Sequence, residues 1–228
     1  VFNIIGAALA RRSFFWYRIS MKKILLTGFE PFGGEKINPS EAVLELLPDT
    51  ICGVQLFKER LPVTYRESAA LALNALHMFA PDAVVMLGQA GGRNGITLER
   101  LAINLDHAKA ADNAGETRMN ALIHPDAPAA YFATLPIDAM LEAMHACSIP
   151  CSMSISAGAF ICNHVSFEML HHLYRTGATV LGGFIHLPYL PEQVEGKQDV
   201  PCMEVSIMLQ GIVAALTALT RVLNKGDV

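Results

Sequence analysis

Short runs of β-branched and aliphatic residues alternate along the chain with longer amphipathic segments. The runs predict strands at 22–27, 54–61, 83–87, 96–105, 151–156 and 178–184. Ile137, Met140, Leu141 and Met144 recur at i, i+3, i+4 and i+7, the spacing of one buried helical stripe. Apolar spacing also predicts helices at 40–47, 66–79, 163–175 and 203–223. The alternation indicates an α/β fold with three α/β/α layers and a mostly parallel central sheet.

Two segments depart from this alternation. Residues 110–130 have no sustained period and are rich in Asn, Gly and Pro, so we predict a long loop, and loops of that length are usually functional. The apolar stretch 205–220 is shorter than the roughly 20 residues needed to span a bilayer. We expect it to form a buried or subunit-facing helix, and we expect no membrane partner.

The first twenty residues are apolar as far as Ala10 and then carry Arg11 and Arg12. A secretory signal has positive charge before its apolar run, so this order is wrong for export. A clean strand follows directly after Met21. We therefore expect residues 1–20 to be an N-terminal extension and residues 21–228 to form a single α/β domain, which suits a chain of 228 residues.

Composition narrows the possible partners and the compartment. Hydrophobic residues make up 52% of the chain and charged residues 17%, which excludes a disordered or fibrous protein. The net charge of −4 leaves no basic stripe for a phosphate backbone, so we expect a small or neutral substrate and no nucleic acid. The 5 cysteines form an odd set without the spacing of a disulfide framework or a metal site, which favours a cytoplasmic protein.

Three chemically reactive residue types follow predicted strands: Glu99, Cys162 and His186. Sites in open α/β sheets form at the carboxyl ends of strands, so these side chains are expected to converge. Cys162 also opens a predicted helix, whose positive end would lower the pKa of the thiol. His164 is the other nearby base, but residues two apart on a helix do not share a face, so we expect its ring to point away.

Each candidate also has an ordinary structural interpretation. Cys162 suits a small core residue, His186 a satisfied core histidine, and Glu99 a surface ion pair with Arg100. The glycine-rich segment 88–93, which ends in Arg93, follows a strand and lacks the fingerprint of a nucleotide-binding loop. Taken singly, none of these features decides the function.

Taken in order, the motifs resemble the pyroglutamyl peptidase I family, also called pyrrolidone carboxyl peptidases. The resemblance spans most of residues 21–223 and rests on an ordered series of short segments. These are Thr27 to Gly34, Asn38-Pro39-Ser40, Gly88 to Arg93, Ile96-Thr97 with Glu99-Arg100, Ala102-Ile103-Asn104, Asp112-Asn113, Pro128 to Tyr131, Cys162-Asn163-His164, Gly182 to His186, Pro188-Tyr189 and Pro191-Glu192-Gln193.

The resemblance implies a phosphorylase- or hydrolase-like α/β fold and a cysteine peptidase that hydrolyses the bond after an N-terminal pyroglutamyl residue through a thioester acyl-enzyme. It places nucleophile, base and orienting acid on Cys162, His186 and Glu99. The lactam pocket falls on Phe29, Phe32, Gln89, Phe160 and Ile161, and Asp112 matches an acidic residue near the site. We expect Arg93 to assist the oxyanion. No metal or cofactor is implied, and the family suggests a homo-oligomer, possibly tetrameric.

Departures from the family pattern keep two other functions open. Lys109-Ala110-Ala111 stands where Arg-Ile-Pro is familiar, Glu41 stands where Trp is usual, and Leu98 replaces a common Pro. A catalytically weakened pyroglutamyl-binding protein would explain the first change. A nucleoside-phosphorylase-like enzyme would use Arg93 beside the glycine turn to hold phosphate.

Overall fold

The computed structural model describes residues 21–225, and the secondary structure within that range matches the predicted α/β alternation. The strands are β1 (Lys23–Phe29), β2 (Thr50–Ile51), β3 (Val54–Leu61), β4 (Ala83–Gln89), β5 (Ile96–Ile103), β6 (Asp106–Ala108), β7 (Arg118–Ala121), β8 (Ala130–Phe132), β9 (Cys151–Ser156) and β10 (Leu181–Leu187). The helices are α1 (Pro39–Leu46), α2 (Ser68–Phe79), α3 (Ile137–Ala146), α4 (Ile161–Thr176) and α5 (Val205–Lys225), with a short 3₁₀ helix at Pro191–Gln193. The predicted extension, residues 1–20, lies outside the described residues.

One large mixed sheet forms the centre of the fold. Its strand order is β2-β3-β1-β4-β10-β5-β8, and β9 also pairs with β5. Strands β3, β1, β4 and β10 run parallel, whereas β5 is antiparallel to β10. The predicted three-layer fold with a mostly parallel sheet is confirmed, and the antiparallel β5 is its main departure.

Helices cover both faces of the sheet. Helices α1, α3 and α5 pack together against one face, and α2 and α4 pack against the other. Because the central strands β1 and β4 are covered on both sides, their sequences are nearly continuous apolar runs without polar alternation. The two helical layers create two separate apolar cores, one on each face.

The last helix, α5, is by length and composition long enough to cross a membrane. Half of its most apolar stretch is nevertheless buried within the protein. Met208, Ile212, Leu216 and Leu219 recur at helical spacing and are fully buried against the sheet side of the fold. This burial is the pattern of a core helix.

Two sequence-based boundaries need correction. The segment 110–130, predicted to be a loop, contains β7, which forms a small antiparallel hairpin with β6, and it ends where β8 begins. The strand predicted at 178–184 lies three residues later, at Leu181–Leu187, because it pairs in parallel with all of β4 from Ala83 to Gln89. His186 therefore lies within a strand and not beyond one.

Candidate active site

Glu99 and His186 form a buried pair on neighbouring strands. In the antiparallel pairing of β5 and β10, Glu99 lies opposite Phe184 and Thr97 lies opposite His186. Directly opposite residues project on the same face of a sheet, so the carboxylate and the imidazole lie side by side. His186 Nδ1 donates to Glu99 Oε1 across 2.7 Å, and the two side chains are only 3% and 1% exposed. This geometry fixes the orientation of the ring and leaves Nε2 for other chemistry.

Cys162 reaches the same face of the sheet from the first turn of α4. That helix begins at Ile161, directly after the extended residue Phe160, which provides no side-chain cap. Gly88 is the β4 partner of His186. A Cβ atom added at Gly88 would lie 2.9 Å from Cys162 Sγ and 2.6 Å from a ring carbon of Phe184. Because residue 88 is a glycine, the sulfur has room beside the strand that carries His186.

The predicted reason for this convergence holds for two of the three strands: β4 and β10 are parallel, and Gly88, Gln89 and His186 lie at their carboxyl ends, on the face that the three residues share. It fails for β9, which is parallel to β5 and therefore antiparallel to β10, so that its carboxyl end lies at the opposite end of the sheet. Glu99 lies in the middle of β5. The chain after β9 crosses back so that α4 starts above Gly88, and this return path, which no local pattern encodes, brings Cys162 to the site.

Arg93 contacts the carboxylate of the Glu99–His186 pair. Its Nη1 donates to Glu99 Oε1 across 2.5 Å and also to the hydroxyl of Thr97. The guanidinium is thus engaged by the same carboxylate that holds His186. These contacts use Nη1 alone and the side chain is 29% exposed, so a contact of Arg93 with the oxyanion stays a prediction.

Burial controls the protonation of the three groups. Burial first, and then the charge of Glu99, raise the pKa of the Cys162 thiol to about 12, while Arg93 opposes the shift. Burial lowers the pKa of His186 against the stabilising effect of Glu99. Burial alone would raise the pKa of Glu99, but the hydrogen bonds and charge of its partners, His186 first, hold it below its usual value. The expectation of a lowered thiol pKa at the helix start is therefore wrong, because desolvation outweighs the helix dipole.

A small pocket opens beside the sulfur of Cys162. It is narrow, with a cavity volume of about 10 Å³, and is lined by Phe29, Phe32, Asn38, Val63, Gln89, Phe160, Ile161 and Cys162. The five residues assigned to the pocket by resemblance are therefore brought together. Asn38 and Val63 were missed, although Asn38 is the N-cap of α1 within the Asn-Pro-Ser segment. A wider groove of about 590 Å³ lies between α3 and α5 and contains none of Cys162, His186 and Glu99.

Asp112 does not line this pocket. Its carboxylate accepts hydrogen bonds from the backbone N–H groups of Tyr65, Ala114 and Glu116 at 2.8 to 2.9 Å. Those bonds lower the pKa of Asp112 although burial acts in the opposite direction. Through these bonds Asp112 joins the loop after β3 to the loop before β7.

His164 points away from the sulfur, as predicted. Its Nδ1 donates to Asp106 Oδ2 across 3.0 Å, and its ring meets the ring of Tyr65 edge-on, with centroids 5.5 Å apart. Phe160 packs edge-on against Tyr65 as well, with centroids 5.7 Å apart. His164 and Asp106 therefore support the pocket wall from behind.

Comparisons with known proteins agree with this fold. The sequence profile of the pyroglutamyl peptidase family matches residues 22–222. The pyrrolidone-carboxylate peptidase of Alkaliphilus oremlandii is 43% identical over 206 residues, which cover 90% of this chain and 96% of that protein. The crystal structure of pyroglutamyl peptidase I from Bacillus amyloliquefaciens superposes with a TM-score of 0.84 at 37% identity, covering 88% of this chain and 97% of that chain. A variant of the pyrrolidone carboxyl peptidase of Pyrococcus furiosus gives 0.85 at 39% identity, covering 88% and 99%.

The α/β fold, the buried thiol and the histidine–carboxylate pair, together with these similarities, define a peptidase of the cysteine type. The match extends over nearly all of the described residues. The chain belongs to the pyroglutamyl peptidase family.

Proposed function

We propose that this protein removes an N-terminal pyroglutamyl residue from peptides, with Cys162 as the nucleophile, His186 as the general base and acid, and Glu99 as the orienting acid. The observation that carries the proposal is the Glu99–His186 hydrogen bond of 2.7 Å on the sheet face where Cys162 Sγ lies over Gly88. An activated thiol beside an oriented imidazole is the arrangement that acyl transfer requires.

The raised thiol pKa favours a reaction that starts from the neutral pair. As Sγ attacks the scissile carbonyl carbon, its proton passes to His186, and the carbonyl oxygen becomes an oxyanion. The C–N bond then breaks, and His186 returns the proton to the leaving amine, which leaves a thioester on Cys162. Water attacks the thioester while giving a proton to His186, and release of pyroglutamate restores the thiol.

The helix start provides donors for the oxyanion. Cys162 is the second residue of α4, so its backbone N–H belongs to the first turn and has no acceptor within the helix. No side chain caps this end. We assign the oxyanion to this N–H group, where a developing negative charge also meets the positive end of the helix dipole.

The pocket suits a neutral ring. Phe29, Phe32 and Phe160 provide apolar walls, and none of the lining residues carries an acidic or basic side chain. A pyroglutamyl ring is an uncharged lactam with one N–H group and one carbonyl. A free amino terminus would lose its hydration here without an anionic partner, so the pocket favours the lactam over an ordinary N-terminal residue.

The cellular setting follows from the same chemistry. A thiol nucleophile must remain reduced, and the 5 cysteines are all free in the structure, so we propose a cytoplasmic enzyme. We also propose a homotetramer, in which the apolar groove between α3 and α5 contributes to a subunit contact. Light scattering of the purified protein tests the second point, and a monomeric mass contradicts it.

A chromogenic pyroglutamyl anilide tests the activity directly. The wild-type protein should release the amine in the presence of reductant, and prior treatment with iodoacetamide should abolish release. Cys162→Ala should lower kcat by at least about 10³-fold. Cys202→Ala is the matched control, because Cys202 is exposed and lies outside the pocket, and it should keep full activity. Full turnover by Cys162→Ala would refute the assignment.

The same assay separates the two other functions. A nucleoside-phosphorylase-like enzyme would cleave nucleosides in a phosphate-dependent manner, and the ion pair of Arg93 with Glu99 weakens the main feature in its favour. A weakened binding protein would retain lactam without turnover. The segment that motivates it, 109–111, is exposed.

A further inference from the structure

Gln193 is a buried side chain that has no assigned role in the site. It ends the short 3₁₀ helix and is only 4% exposed. Its Oε1 accepts from the backbone N–H of Leu190 at 3.0 Å. Its Nε2 donates to the backbone carbonyl of Ile37 at 3.3 Å and to Oε1 of Gln89 at 2.8 Å. The last contact links Gln193 to a residue of the pocket lining.

These contacts fix the orientation of both amides. A backbone N–H is only a donor and a backbone carbonyl only an acceptor, so Leu190 and Ile37 determine which end of the Gln193 amide is oxygen and which is nitrogen. The nitrogen of Gln193 then requires an acceptor from Gln89. Gln89 must therefore direct its oxygen towards Gln193, and its own NH₂ group is the end that remains.

The NH₂ group of Gln89 is a donor without a partner among residues 21–225. Across residues 21–225, no hydrogen bond from Nε2 of Gln89 is found, although Gln89 lines the pocket beside Cys162. The lining side chains are otherwise mostly apolar, and Asn38 is occupied by Glu30 and Ser40. The amide of Gln89 is thus the side-chain donor that the pocket can offer to a ring carbonyl.

We propose that Gln193 is a positioning residue for lactam recognition: by holding Oε1 of Gln89, it presents the NH₂ group of Gln89 to the ring carbonyl of the substrate. The inference rests on the proposed function. It also explains discrimination against proline, since a ring without the carbonyl would leave this donor unsatisfied.

Two substitutions at position 193 distinguish a positioning role from a purely structural one. Gln193→Met removes the amide at similar length and should raise KM for the pyroglutamyl anilide about 5- to 20-fold, with kcat changed less than about threefold. Gln193→Glu still accepts from Leu190, but it attracts the NH₂ group of Gln89 and turns the oxygen of Gln89 towards the pocket. We therefore expect a larger rise in KM for Gln193→Glu than for Gln193→Met. If Gln193 only stabilised its loop, KM in both variants would follow the loss in unfolding midpoint, and glutamate would cause no additional rise in KM at equal stability.

A double-mutant cycle with Gln89→Met isolates the pathway. If Gln193 acts through Gln89, adding Gln193→Met to Gln89→Met should change KM by less than about twofold. A further rise equal to that seen in the wild-type background would overturn the proposal, as would an unchanged KM in the single variant. Thermal unfolding midpoints of the four proteins identify any variant whose loss is caused by unfolding.

Binding of the bare lactam ring separates this inference from the proposed function. We expect 2-pyrrolidone to protect Cys162 of the wild-type protein from iodoacetamide, and Gln193→Glu to weaken that protection at least about fivefold. Protection that depends on Gln193 in a protein without peptidase activity would refute the function and keep the inference. Peptidase activity with protection unchanged in Gln193→Glu would refute the inference alone, and absence of both activity and protection would refute both.

Discussion

Two buried clusters in this protein have the same components but different surroundings. In one, Glu99 accepts from His186 at 2.7 Å and from Arg93 at 2.5 Å. In the other, Asp106 accepts from His164 and from Arg118, each at 3.0 Å. Both carboxylates are almost completely buried, and both histidines donate through Nδ1.

The difference lies in what surrounds each imidazole. The ring of His186 lies on a strand beside Gly88, where the absent side chain admits the sulfur of Cys162. The ring of His164 meets the ring of Tyr65 edge-on, and the guanidinium of Arg118 lies 4.4 Å from the centroid of the Tyr65 ring. A histidine–carboxylate pair therefore becomes a catalytic candidate only where the backbone leaves space for a nucleophile.

The largest expected effect breaks the first cluster. His186→Gln can still donate an amide hydrogen to Glu99, but it cannot take up a proton from the thiol. We expect kcat to fall about 10²- to 10⁴-fold, the usual contribution of a general acid–base group. Steady-state kinetics with the pyroglutamyl anilide measure the effect, and the unfolding midpoint serves as the control. A kcat within tenfold of wild type would show that His186 is not the base.

The matched change in the second cluster should affect stability more than rate. His164→Gln shortens the donor and disturbs the contact with Tyr65, while Asp106 keeps its ion pair with Arg118. We expect the free energy of unfolding to fall by about 1–3 kcal/mol and kcat to change less than about threefold. Urea denaturation and the same kinetic assay measure the two quantities. A loss of kcat as large as that of His186→Gln would remove the distinction between the clusters.

Local patterns predicted the elements of this fold but not the path that joins them. Strands 54–61 and 151–156 were predicted with the observed bounds, because the alternation of apolar and polar residues is a local property of an extended segment. The antiparallel course of β5 and the return of the chain to α4 depend on long-range pairing. The sequence motifs singled out Cys162, His186 and Glu99 as candidates, and the predicted convergence at the carboxyl ends of strands holds for β4 and β10 but not for β9.

The remaining differences between the predicted and the observed site also come from contacts between residues far apart in sequence. Glu99 and His186 are 87 positions apart, and Gln89 and Gln193 are 104 apart. The ion pair of Arg93 and the three backbone bonds of Asp112 depend on which loops meet, so a resemblance transfers the residues without their partners. The thiol pKa was predicted in the wrong direction because sequence shows the helix start and not the depth of burial.

The smallest expected effect is a shift in pH dependence that distinguishes the two arginines. Arg93 lowers the pKa of His186, so Arg93→Gln should raise it. The base works in its neutral form, and activity rises as pH increases through its pKa, so the acid limb of kcat/KM should move to higher pH. We expect less than about a tenfold loss above that limb, the scale of a single charge interaction. Arg118 is not among the groups that shift His186, so Arg118→Gln should leave the limb in place, and an equal shift in both variants would show that the clusters are electrostatically coupled.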